Sequence, residues 1–343
     1  MNSSVSLQSS PSAIIDDGWR SWIAENLMLG TDPTQIAQVL MQNGASHLES
    51  VKEIDAALKS PYLRGATRLR SRMTKRDWVL NIYRKLNRLR PATIARRDKL
   101  SREEFLRDYY QTNTPVIITG MMDDWPALKK WDLDFFQQHF ASRIVEVQFG
   151  RNDDADYEMN SIAHKRKMTF GEYVDLVRHA GVSNDFYMTA NNDSLNRQAL
   201  GELWDDIVQI PEYLSQTEGG RGFFWFGPTG TVTPFHHDLT NNFMAQVMGR
   251  KRIRLIPACE IANVYNHRHC FTPVDARNID LQKFPQMANA QVLECEIGPG
   301  EILFLPVGCW HYVEGLETSV TIAFTNFLWD NDFFSNYPEY REF

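Results

Sequence analysis

Cysteine is scarce in this chain. Its four thiols, Cys259, Cys270, Cys295 and Cys309, stand at spacings that fit neither a zinc module nor a disulfide framework. Reduced thiols, and with them a cytoplasmic protein, are the expectation. Long apolar runs are missing too, since no stretch approaches the roughly 20 residues that a membrane helix needs. The opening residues, Met1 to Pro11, have neither a basic start nor an apolar run, so residues 1–14 read as a disordered tail and not as a secretory signal. Positive charge falls short of negative, with 36 Lys and Arg against 43 Asp and Glu. The net charge of −7 disfavours nucleic acid as the main partner.

What is present is ordinary in bulk and uneven in detail. A chain of 343 residues, 43% apolar and 23% charged, can bury a sizeable core as one large domain with an appendage or as two domains. Residues 64–99 hold 13 Lys and Arg against 2 Asp and Glu, a local balance of +11 that leaves −18 elsewhere. Such a block suits an acidic peptide, RNA or a phosphate-rich surface, and the simpler reading is a solvated helical face that complements the acidic body.

Helical spacing dominates the first hundred residues. Trp19, Trp22, Ile23 and Leu27, then Ile36, Val39 and Leu40, then Val51, Ile54 and Leu58, predict three short helices between residues 15 and 60, the last ending at Pro61. They suit a docking appendage or a small peptide-recognition module. Thr74 to Asp77 resembles a capping box, and Trp78, Ile82, Leu86 and Leu89 form a stripe behind it, which predicts an amphipathic helix over 75–90. Pro91, Arg96-Arg97 and the helix start at Ser101 mark a boundary, so the expected division is a tail at 1–14, a helical region at 15–96 and a body at 97–343.

Within the body the period shifts towards two. Strands are predicted at 115–119, 144–149, 185–189, 222–226, 294–297, 301–305 and 318–328, with helices at 102–110, 132–140 and 170–178, the last opened by the box Thr169 to Glu172. Closely spaced strands with Gly/Pro turns give a mixed α/β chain with a mainly β core, an antiparallel jelly roll or double-stranded β-helix. Residues 259–291 form a long connection, uncommon without a purpose. His139, His164 and His179 lack partnered spacing and read as structural, His47 as an exposed first-turn residue, and Cys309 as a small buried filler.

The stretch from Thr231 to Ile256 carries the chemistry. Residues two apart on a strand share a face, so His236 and Asp238 can grip one metal while His237 points away. With a distant histidine they make two His and one carboxylate, the set that leaves positions open on a non-haem Fe(II). His311, after a turn and an apolar strand, is the chosen third ligand; the pair His267-x-His269 is the rival, without supporting context. A two-residue turn at Gly249-Arg250 predicts a hairpin with Met248 opposite Lys251. Lys251 then shares a face with Gln246, Met244, Asn242 and the ligands, and a buried ammonium there calls for a bound anion.

Taken together, Thr233-Pro234-x-His236-x-Asp238, Asn242-Phe243, Gln246-x-x-Gly249-x-Lys251, Gly298-Pro299-Gly300-Glu301, Trp310-His311 and Thr325-Asn326-Phe327 form an ordered set. With Pro115 to Gly120 and Asp124-Trp125-Pro126 upstream, it resembles the Jumonji-C family of cupin-like Fe(II)- and 2-oxoglutarate-dependent oxygenases, over roughly residues 100 to 330. The nearest pattern within it is that of protein hydroxylases similar to the asparaginyl hydroxylase that inhibits hypoxia-inducible factor. The resemblance implies Fe(II) on His236, Asp238 and His311, with O2 and 2-oxoglutarate as co-substrates. It implies Lys251 and Thr233 on the distal carboxylate of 2-oxoglutarate, with Asn242, Asn326 and Tyr187 at co-substrate positions. Trp310 and Phe243 are expected to exclude water.

The reaction so implied is hydroxylation of an amino-acid side chain in a protein or peptide, with release of succinate and CO2. The alternatives are N-methyl-lysine demethylation, for which no zinc-finger reader spacing is present, and a metal-binding cupin without turnover. No membrane partner is expected, and a homodimer is left open because the C-terminal dimer helices of the resembling hydroxylase have no counterpart here.

Overall fold

The computed structural model describes residues 15–216, 222–266, 268–335 and 337–338. The tail reading of residues 1–14 and the rival ligand His267 lie outside the described residues. The chain divides into two compact units, one ending at Tyr83 and the other beginning at Arg84.

The first unit is helical because each short apolar stripe is bracketed by a cap. Helix α1 (Asp17–Leu29) starts where the Asp16 carboxylate accepts from the Trp19 amide, and it stops at Gly30, whose φ of 87° is the left-handed conformation that glycine tolerates. Helix α2 (Pro33–Gln42) opens with Asp32 and Pro33, and α3 (His47–Lys59) with a reciprocal box between Ser46 and Glu49. Ile23, Ile36, Leu40 and Ile54 close a small core between them. Pro61 ends α3 and also opens α4 (Pro61–Asn87), since its missing amide is one that a first turn leaves unpaired anyway.

Helix α4 differs from its sequence expectation. It runs unbroken for 27 residues through Thr74, whose hydroxyl donates to the Arg70 carbonyl one turn back instead of capping a new helix. The stripe of Trp78, Ile82, Leu86 and Leu89 is exposed, so it packs no core. No helix among the described residues is long and apolar enough to cross a membrane.

The second unit is built on two facing sheets, the double-stranded β-helix that the turn spacing predicts. The larger runs β1 (Ala95–Asp98), β2 (Val116–Thr119), β11 (Ile302–Leu305), β8 (Asn242–Met248), β13 (Ser319–Phe324) and β6 (Phe223–Gly227). The smaller runs β10 (Leu293–Ile297), β9 (Lys251–Ile256), β12 (Trp310–Gly315) and β7 (Val232–His237). A third sheet of β4 (Lys165–Thr169), β3 (Ile144–Phe149) and β5 (Phe186–Tyr187) delivers Tyr187.

Alternation on each strand sorts side chains among three layers. Outward from the larger sheet, Phe226 packs on helices α5 (Leu133–Phe140) and α6 (Phe170–His179) through Phe136, Phe170 and Tyr173, while Phe243 and Phe304 pack on Phe105, and Ile302 and Ile322 join the same cluster. Between the sheets lie Ile117, Met244, Leu303 and Leu305 against Ile253, Leu255, Ile297 and Val313. Outward from the smaller sheet, Phe235, Ile256, Trp310 and Tyr312 are covered by Val264, Val274, Phe284 and Met287. Each such side chain contributes on the order of 2 kcal/mol by leaving water. The long connection therefore has a structural purpose, that of lidding one sheet. It is pinned by Glu260, 1% exposed, whose carboxylate receives Arg88 at 3.3 Å and Asn263 at 2.7 Å.

Two expectations fail here. Strands β8 and β9 are consecutive but do not pair, because β8 bonds to β11 and β13 while β9 bonds to β10 and β12. The Gly249-Arg250 turn carries the chain across to the opposite sheet, with Gly249 at φ 67° and a Cβ there only 2.2 Å from the Thr318 carbonyl. Hence Met248 does not face Lys251. Phe243 and Trp310 lie in the two outer layers, away from the space between the sheets, so neither excludes water there.

Candidate metal and co-substrate site

His236, Asp238 and His311 meet at one end of the inter-sheet space. Strands β7 and β12 are antiparallel neighbours, and His236 stands directly opposite His311. Their ring centroids are 4.1 Å apart. His236 Nε2 lies 3.7 Å from Asp238 Oδ1, and His311 Nε2 lies 3.9 Å from Asp238 Oδ2. One donor atom from each of the three falls within 4.8 Å of the others, the geometry of a metal-binding group. His237 points the other way, against Trp310 and Tyr337.

Hydrogen bonds fix which nitrogen each imidazole offers. Nδ1 of His236 reaches the Pro234 carbonyl at 2.8 Å and Nδ1 of His311 the Cys309 carbonyl at 3.0 Å. A carbonyl only accepts, so both Nδ1 atoms carry the proton and both Nε2 lone pairs face the cluster. Burial, reinforced by His311, pulls the His236 imidazole down to about 4, which keeps it neutral at physiological pH. Burial pushes the Asp238 carboxyl upward, but the two imidazoles and Asn242 outweigh it and hold the group below its usual range. Asn242 Nδ2 donates to Asp238 Oδ2 at 3.1 Å and orients the carboxylate. A neutral His236 imidazole and an ionised Asp238 carboxylate are in the state in which a divalent metal finds its ligands ready. The three residues fit Fe(II), whose two-His-one-carboxylate set leaves further positions open.

The cluster opens into a cavity of about 720 Å³. Lys251 enters it from β9 and is 1% exposed. Its ammonium donates to Tyr187 Oη at 2.9 Å, and among the described residues no carboxylate pairs with it. Burial alone lowers its pKa to about 7. Tyr187 is seated against Gly227, where a Cβ would come within 2.6 Å of its ring.

Thr233 also lines the cavity, by a route that alternation does not predict. Thr233 is opposite Val313 and His236 opposite His311, so β7 spends three residues where β12 spends two. This bulge turns Thr233 and His236, of opposite parity, to the same side.

Of the residues singled out in the sequence, His236, Asp238, His311, Lys251, Thr233, Asn242 and Tyr187 line one cavity. Asn326 does not. It follows β13 with the wrong parity, lines a separate small cavity with Trp204 and Phe324, and donates to the Ser215 carbonyl at 2.7 Å. Gln246 faces the sheet interior but braces the crossing, donating to the Met248 and Gly249 carbonyls and accepting from Thr321 at 2.7 Å.

Sequence reasoning missed several lining residues. Thr321 sits between Val320 and Ile322 in a largely apolar strand, and that alternation was the available signal. Trp225 and Phe271 had none; Phe271 comes from the long connection and stacks on His236 at 5.8 Å. Arg151 is buried at 1% exposure, bonded to Glu158 at 2.8 Å and to the Val232 carbonyl at 2.7 Å, so it braces the ligand strand from behind.

Comparison with known proteins agrees with this geometry. A family model described as a cupin-like domain matches residues 101–335. The chain is 35% identical to "Lysine-specific demethylase JMJ30" of Arabidopsis thaliana over 246 residues, 70% of this chain and 55% of that protein. It is 35% identical to "Lysine-specific demethylase 8" of Xenopus tropicalis over 64% of this chain and 50% of that protein. A more distant relative, "tRNA wybutosine-synthesizing protein 5" of Gallus gallus, is 28% identical over 68% of this chain and 75% of its own length. The match thus spans about half the length of the first two relatives. The narrower likeness to the asparaginyl hydroxylase finds no support in these names.

Proposed function

This chain belongs to the cupin-like Jumonji-C family of Fe(II)- and 2-oxoglutarate-dependent oxygenases, and we propose that within it the chain hydroxylates an amino-acid side chain of a protein or peptide. The observation that carries the oxygenase reading is the buried Lys251, with which no carboxylate among the described residues pairs, in the same cavity as His236, Asp238 and His311. The catalytic module in this proposal is 97–343, with 15–96 as a helical appendage.

In this reading His236, Asp238 and His311 hold Fe(II), and the distal carboxylate of 2-oxoglutarate rests on Lys251, Tyr187 and Thr233. Bound Fe(II), with 2-oxoglutarate and O2, supplies the oxidising power that places an oxygen atom in a substrate C–H bond and releases succinate and CO2. The protein contributes position and charge. Lys251 neutralises the dianion, Asn242 keeps the Asp238 carboxylate turned to the metal, and Leu305, Val313, Ala323 and Trp225 keep water out of the cavity.

The relatives' names favour a second reading, N-methyl-lysine demethylation. Against it, a methylammonium is held by several aromatic faces. Here Tyr187 and Trp225 pair with each other at 5.7 Å beside the Lys251 ammonium, which leaves Phe271, among the described lining residues, as the phenyl ring next to the candidate ligands. Incubation with Fe(II), 2-oxoglutarate and a peptide library separates the readings by mass. Hydroxylation adds about 16 Da and demethylation removes about 14 Da, each with stoichiometric succinate, and succinate without either shift contradicts both.

A further inference from the structure

Helix α4 carries a surface that the oxygenase reading does not use. Arg64, Arg68, Arg72, Lys75 and Arg76 recur every three or four residues, which puts them on one face of the helix. Continuing the same intervals, Val79, Ile82 and Tyr83 extend that face towards the C-terminus. All eight side chains are exposed, and all belong to the first unit. Among the described residues none of the five cations has an ion-pair partner, and Asp77, the helix's one acid, falls on the opposite face. The face is therefore cationic along its first three turns and apolar along the next, over about 30 Å of helix.

A 27-residue helix that buries none of its own residues keeps this surface free for something outside the unit. The row of cations requires an anionic occupant. Its apolar half says which kind. Phosphates along a nucleic acid would satisfy the arginines but leave Val79 and Ile82, with Leu69 and Met73 beside the row, 58% and 54% exposed, facing sugars. A second copy of α4 laid antiparallel would set cations against apolar side chains and desolvate them unpaired. A helix with carboxylates at one end and aliphatic side chains at the other meets both halves.

We propose that α4 docks an acidic, amphipathic helical segment of a polypeptide partner along the face from Arg64 to Tyr83. The test uses the full chain and fluorescence anisotropy. The probe is a labelled synthetic helix with Glu every three or four residues in one half and Leu at the same intervals in the other. The structure calls for saturable binding, weakened about tenfold or more by the triple substitution Arg64→Glu, Arg68→Glu, Arg72→Glu, since each lost pair is exposed and modest by itself. The double substitution Val79→Ser, Ile82→Ser should weaken it several-fold. Every altered side chain is exposed, so circular dichroism should stay unchanged and succinate release should not move. No binding, equal binding of a scrambled peptide of the same composition, tighter binding of a single-stranded RNA oligonucleotide, or a dimer that these substitutions dissociate would each overturn the proposal. The readout is separate from 2-oxoglutarate turnover, so this proposal and the oxygenase reading can fail independently.

Discussion

The Lys251 ammonium lies 2.9 Å from the Tyr187 hydroxyl, and among the described residues no carboxylate pairs with it. A charge so placed is costly, and burial lowers its pKa to about 7. Because the unfolded value is near 10.5, the unfolded chain binds more protons between these limits, so stability rises with pH from about 7 towards 10. Without ligand, the melting temperature of the wild type should climb relative to Lys251→Met over that window. 2-Oxoglutarate should flatten the climb by restoring the charge. Parallel pH profiles for the two proteins would contradict the burial of an unpaired cation.

In the proposed function the same residue would anchor the co-substrate. Lys251→Met should raise the KM for 2-oxoglutarate by roughly 10- to 100-fold, the worth of a charge-assisted hydrogen bond of about 1.5–3 kcal/mol. Steady-state succinate assays check this, and an unchanged KM would move the anchor elsewhere.

Asn242 reaches the candidate metal site through its hydrogen bond to Asp238. Asn242→Ala should lower metal affinity by about 10- to 100-fold, as loss of an orienting partner does, without unfolding the chain. Titration with Fe(II) under anaerobic conditions, or with Mn(II), measures it.

Gly249 makes the crossing between sheets possible. Gly249→Ala forces a Cβ into the Thr318 carbonyl at positive φ, a cost of about 2–3 kcal/mol, or roughly 5–10 °C in Tm. Thermal melting of the variant tests whether this turn is a crossing and not a hairpin.

Which residues gather at the candidate site was more legible than which strands pair. His236, Asp238 and Lys251 stand out in the sequence because few combinations of residue type and spacing on strands suit a metal cluster beside a buried cation. Alternation says which side chains share a face but not which sheet a strand joins. Lys251 accordingly reaches the expected cavity from the opposite sheet, and two facing inner surfaces do what one hairpin was expected to do. Thr233 needed a bulge, which leaves no mark in composition. Asn326 was carried by resemblance alone, and its parity after β13 sends it to another cavity. The Trp78 stripe on α4 has the period of a buried face, yet period alone does not provide a surface to bury it against.

Succinate formation from 2-oxoglutarate, followed with Fe(II) and O2 for the wild type beside Asp238→Ala, probes the three-residue metal cluster most directly. The wild type should turn over, and Asp238→Ala should fall to the background of the enzyme-free mixture. Retention of wild-type turnover by Asp238→Ala would show that His236, Asp238 and His311 are not the centre at which this protein works.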